Sequence, residues 1–148
     1  MEIVVTLPEK TAPKPEREGT GEPVSDSSLP TPEKNKEEGK GAVVVRVTGE
    51  VDLHTGPDLR TTLQRIADDG HHHIVVDMTR VPYVDSFALG VMVDTQRRLK
   101  ERGGDLYLAH ITPFVMRAFE ITRLIRIFNV VHSVEEAVQI AGQAGRSE

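Results

Sequence analysis

With 148 residues, 38% of them hydrophobic and 28% charged, the chain has the makings of one soluble globular domain around a single core. The absence of cysteine excludes disulfides, thiol catalysis and cysteine-held metal, and a net charge of −5 speaks against broad nucleic-acid binding, which needs a basic face to release counterions. No apolar run approaches the roughly 18 residues of a membrane span, and the apolar opening lacks the basic flank of a secretory signal, so a cytoplasmic protein with no membrane span is expected.

Ile3, Val4, Val5 and Leu7 predict a first strand within residues 1–7. Residues 8–40 hold six of the nine prolines and alternate Glu with Lys, with almost no bulky apolar side chains. Such a stretch buries too little surface to offset its ordering entropy, which predicts a disordered loop inserted between two strands. The remainder of the domain is expected over residues 41–146. Residues 42–48 (AVVVRVT) form its first strand, closed by Gly49. Thr55 then reads as a helix cap, with Pro57 in the first turn, Asp58 completing a capping-box-like pattern, and Leu59, Leu63 and Ile66 as the buried stripe. Residues 73–78 (HIVVDM) have the continuous apolar character of a strand buried in an α/β sheet.

A second helix is expected from Asp85-Ser86 to about Arg102, stopped by Gly103-Gly104, followed by a strand over residues 106–109. Thr112-Pro113 starts a third helix running to about Thr122, and residues 125–131 read as a short strand. Ser133-Val-Glu-Glu136 is a capping box opening a last helix, with Val134, Ala137, Val138 and Ala141 as its buried side. Strands and helices alternate after an initial strand pair. The fold class is therefore α/β, a mixed, mainly parallel sheet of about five strands with about four helices.

The chemistry concentrates at Tyr83-Val-Asp-Ser-Phe-Ala-Leu-Gly90, where a strand runs through a tight turn into a helix. A helix start presents free N–H groups and about half a positive charge, so a phosphate on Ser86 would be stabilised there. The plainer reading is that Asp85 or Ser86 does no more than cap the helix. Catalytic readings find less support. Ser86 has no G-x-S-x-G elbow, no phosphate-cradling glycine loop is present, and Asp77 lacks the further acids and lysine of a magnesium-dependent phosphoacceptor. His71, His72 and His73 alternate in direction at a strand entry and cannot readily converge on one metal. Arg97, Arg98, Lys100 and Arg102 read as a solvated helix face. Neither an enzyme nor a cofactor or metal is expected.

Val45-Arg-Val-Thr-Gly-Glu-Val-Asp52, Ile74-Val-Val-Asp-Met-Thr79, Val81-Pro-Tyr-Val-Asp-Ser86, Gly103-Gly-Asp-Leu-Tyr-Leu108 with Pro113, and Ser133-Val-Glu-Glu-Ala137 occur in an order and spacing that resemble the STAS domain of anti-sigma factor antagonists, over about residues 41–142. The resemblance implies a protein that binds an anti-sigma factor, itself a serine kinase, and so frees a sigma factor. It places Ser86 at the phosphorylated serine, with a metal-dependent serine phosphatase resetting the switch. Asp52 matches a family acid beside that serine, and the partner surface is expected around Asp52, Thr55, Asp85, Phe87, Leu89 and Met92, with Leu89 and Met92 partly exposed and Val93 in the core. Three features depart from the family. Phe87-Ala88 replaces a small hydroxyl residue and glycine, Thr122-Arg123-Leu124 stands where Thr-Gly-Leu is usual so that Arg123 replaces the glycine, and the 8–40 insertion is longer than the usual connection. The Phe87-Ala88 change favours the alternative of a phosphorylation-independent STAS regulatory or ligand-sensing subunit.

Overall fold

The computed structural model describes residues 1–8 and 41–146; from residue 9 onward the expected inserted loop lies outside the described residues. In chain order the elements are β1 (Glu2–Thr6), β2 (Val43–Thr48), α1 (Gly56–Asp68), β3 (His73–Arg80), α2 (Ser86–Glu101), β4 (Asp105–Ala109), α3 (Pro113–Ile121), a 3₁₀ turn (Leu124–Arg126), β5 (Asn129–Val131) and α4 (Val134–Arg146). The five strands lie side by side in their sequence order, with β1 antiparallel to β2 and every other pair parallel. The α/β class with a mixed, mainly parallel sheet and, among the described residues, four helices is as the residue pattern predicts.

The strands alternate between two apolar layers because successive side chains leave opposite faces. Val43, Val45, Val47, Ile74, Val76, Met78, Leu106 and Leu108 meet α1, α2 and α3 on one face. Val44, Val75, Tyr107, Ala109 and Val131 meet Ala137 and Ala141 of α4 on the other. Because β2, β3 and β4 are adjacent and parallel, the segments that follow them emerge along one edge of the sheet. That edge collects residues 49–55, 81–86 and 110–114.

Several boundaries differ from those read in the sequence. Leu124–Arg126 is a 3₁₀ turn, and the last strand begins only at Asn129. The cause is Arg123, which takes a left-handed conformation (φ 66°, ψ 13°) and reverses the chain after α3. On α4 Val138 faces solvent, and among the residues whose burial is described only Ala137 and Ala141 are fully buried, since a single helix covering half a sheet face buries a narrow stripe. The last capping box forms: Ser133 Oγ accepts from the Glu136 N–H at 3.0 Å, while the Glu136 carboxylate accepts from the His132 N–H at 2.9 Å, one residue earlier than the usual partner. At the end of α2, Gly103 is left-handed (φ 85°) and the Gly104 N–H returns to the Leu99 carbonyl, the termination expected of this glycine pair.

His73 is buried at the start of β3, stacked 6.3 Å from Tyr107, with an Nδ1 that has no hydrogen-bond partner among the described residues. Burial foremost holds its pKa below the ordinary 6.5, against an upward pull from Asp105 and with a smaller downward push from the neighbouring His72. As pH falls, the unfolded chain therefore takes up the proton first. Stability is expected to be complete above pH 6.5 and to decline as pH falls through 6.5 toward the lower folded value. Urea melts across this range check it. His73→Phe should flatten the decline, leaving the share of His72, whose pKa is lowered in the same direction, chiefly by burial.

Candidate functional site

The segments after β2 and β3 are knitted together by backbone and side chain. The Val51 N–H donates to the Tyr83 carbonyl at 3.0 Å and the Asp85 N–H to the Val51 carbonyl at 3.2 Å, around a parallel bridge between Val51 and Val84. Asp85 then serves both segments. Its Oδ1 accepts from the Ala88 N–H at 3.0 Å, capping α2, and its Oδ2 accepts from the Leu53 N–H at 3.0 Å. A carboxylate is suited to this place because it offers two acceptors and no donor. The cap is Asp85, and Ser86 stands exposed as the first residue of α2. With Ala88 bonded to the Asp85 carboxylate and Leu89 to its carbonyl, the N–H groups of Ser86 and Phe87 are the first-turn donors left without a partner among the described residues.

Asp52 organises the turn opposite. Its Oδ1 accepts from the His54 N–H at 2.9 Å and the Thr55 N–H at 3.0 Å. The Thr55 N–H foremost, and with it the His54 N–H and the Thr55 hydroxyl, hold the Asp52 carboxyl below the usual carboxylate range against a weaker opposing effect of burial. Thr55 does not cap α1 through its side chain. Its hydroxyl lies 2.9 Å from the Glu50 carbonyl and accepts from the Asp52 N–H at 3.0 Å, so it closes the turn on itself. The expected capping role is corrected: the hydroxyl is already committed to the preceding turn.

Two residues expected at a partner surface are placed differently. Met92 is fully buried, 0% exposed, because the α2 stripe of Ala88, Leu89, Met92 and Leu99 faces the sheet. Val93 is the half-buried one. Leu89 is 8% exposed, and it contributes to the wall of a shallow groove of about 500 Å³ that starts at Ser86 and passes Gly90 and Val93 to Thr122 and Leu124.

Phe87 lies down on α1. A Cβ at Gly56 would come within 2.6–2.7 Å of its ring, and the Arg60 guanidinium sits over the ring, 5.6 Å from its centroid. The ring is thus packed against the start of α1 and does not stand as a free docking anchor. Gly56 has no positive φ, so Gly56→Ala tests the contact without backbone strain. It should cost about 1–2 kcal/mol by overpacking, and the loss should shrink in a Phe87→Ala background, which a double-mutant cycle in urea would measure.

The sequence reading missed Leu53, Tyr83 and Phe114. Leu53 is 63% and Phe114 62% exposed, and the rings of Phe114 and Tyr83 lie 6.2 Å apart. The available signal was Phe114 itself, which stands off the Val115 and Phe119 stripe of α3. Asp77 has a structural occupation: it pairs with Arg46 at 3.3 Å and accepts from the Thr79 N–H and hydroxyl. Burial works to raise its pKa, but these partners together with His110 bring it below the ordinary value.

Comparison with known proteins gives a consistent answer. The STAS domain model matches residues 33–137. An anti-sigma-B factor antagonist of Staphylococcus aureus is 35% identical over 91 residues, 62% of this chain and 84% of the relative. Among solved structures, an anti-sigma factor antagonist from Mycobacterium paratuberculosis superposes with a TM-score of 0.62 at 25% identity, over 68% of this chain and 86% of that one. The Bacillus cell fate determinant SpoIIAA in its phosphorylated form gives 0.54 at 23% identity, over 68% and 90%. With the strand order and the serine-bearing helix start already described, these matches mean that the chain belongs to the STAS domain family.

Proposed function

We propose that this protein is an anti-sigma factor antagonist: it binds an anti-sigma factor that is also a serine kinase, so releasing a sigma factor, and phosphorylation of Ser86 ends the complex. One observation carries the reading most directly. Ser86 is the exposed first residue of α2, with its hydroxyl at a helix N-terminus and the Asp52 turn clasped beside it through Asp85. A phosphate there meets free N–H groups and the positive end of the helix dipole, so the fold accommodates it. A serine phosphatase is the reverse partner. Phe87 supports this reading, because its ring is turned onto Gly56 and leaves the groove beside Ser86 open.

The test uses the purified serine-kinase anti-sigma factors of the source organism, each in turn, with ATP. Intact-mass measurement should show one added phosphate that Ser86→Ala lacks. Binding by such a factor without any mass gain would favour the phosphorylation-independent STAS subunit. Absence of binding by every such factor would refute the antagonist reading.

A further inference from the structure

α3 buries Val115 and Phe119 but turns a second apolar face to solvent. Phe114 and Ile121 stand seven residues apart, 62% and 74% exposed, with Arg117 between them on the same side of the helix. This face is continuous with the site at Ser86 by two routes. Phe114 packs on Tyr83, two residues before Asp85, and the groove that begins at Ser86 ends at Thr122 and Leu124, on either side of Arg123. Arg123 is exposed and held at φ 66°, a conformation free for glycine and costly for a side chain. A strained residue kept at an exposed position points to use of its side chain.

The charges agree. On α2, Arg97 and Arg98 pair with Asp94, and Lys100 pairs with Asp105. Arg117, Arg123 and Arg126 are exposed and have no ion pair among the described residues, in a chain whose net charge is −5. A surface of apolar side chains rimmed by unpaired arginines complements an acidic segment with an apolar face.

We propose that Phe114, Ile121, Arg117 and Arg123 form a second half of the Ser86 docking surface, and that it takes an acidic, apolar-faced segment of the anti-sigma factor. This inference rests on the antagonist reading above. A protein is favoured over an anionic membrane because the face runs into the Ser86 groove and carries Glu120 beside Ile121.

The experiment titrates the full chain with the anti-sigma factor that binds wild type. Arg123→Gly should hold or raise the melting temperature, since it relieves the left-handed strain, yet weaken binding at least tenfold. Phe114→Ser with Ile121→Ser should weaken it at least as much with unchanged circular dichroism, and Arg117→Ala should reduce its salt dependence. If wild type binds and these variants bind equally well, the docking proposal is overturned while the antagonist reading stands. If no anti-sigma factor binds wild type, both fall. Sedimentation with phosphatidylglycerol-containing vesicles that depends on Phe114 and Ile121 would also overturn it, by assigning the face to lipid.

Discussion

Phosphorylated at Ser86, the protein is expected to keep its fold and lose its anti-sigma partner, with affinity reduced by a hundredfold or more. The phosphate adds about −1.5 to −2 charges at neutral pH. In the free protein this charge sits in water at the start of α2, where the N–H groups of Ser86 and Phe87 and the helix dipole offset its repulsion from Asp52 and Asp85. In a complex the same dianion would have to be desolvated against the partner, and an uncompensated buried charge costs several kcal/mol. A hundredfold loss corresponds to about 2.7 kcal/mol, well within that range. Ser86→Ala should bind as tightly as the unmodified protein and resist ATP. Ser86→Asp should fall between the two, because a carboxylate carries about half the charge. Calorimetric titration of the four forms checks the order. Equal affinity of the phosphorylated and unmodified proteins would sink the switch, and a fall in melting temperature of the phosphorylated form would show that the helix start does not accommodate the group.

Asp85→Ala is expected to have the largest effect on the free protein, about 2 kcal/mol of lost stability. The substitution removes a helix cap, worth typically about 1 kcal/mol, and the bond from the Leu53 N–H, worth about as much for a charged acceptor at an exposed position. Asp85→Asn separates the two. An amide keeps one acceptor oxygen and presents a donor in place of the other, so it can hold the Ala88 N–H but not also Leu53. It should therefore cost about half as much. Amide exchange gives the residue-level check: the Leu53 N–H should exchange faster in both variants, the Ala88 N–H only in Asp85→Ala. If Asp85→Asn left Leu53 as protected as in wild type, the clasp between the two loops would rest on the backbone bonds alone. Partner affinity should fall in both variants, since the Asp52 turn then loses its side-chain tie to the start of α2.

The residue pattern by itself determined the alternation of elements, the parallel sheet and the position of Ser86. Apolar strands such as residues 73–78 and stripes such as Leu59, Leu63 and Ile66 are local signals that survive into the buried core. The start of α2 was legible for the same reason, since an aspartate followed by helix-compatible residues caps locally. Thr55 shows where locality ends: hydroxyl and helix start were both visible, but the competing partners at Glu50 and Asp52 exist only once the turn has closed. Met92 and Val93 exchanged their expected places because the rotation of α2 is set by its packing on the sheet and α1, which one helix's sequence does not carry. The gathering of Leu53, Tyr83 and Phe114 beside Ser86 was decided by tertiary structure alone. It follows from β2, β3 and β4 lying adjacent and parallel, so that three segments remote in the chain leave the sheet at one edge.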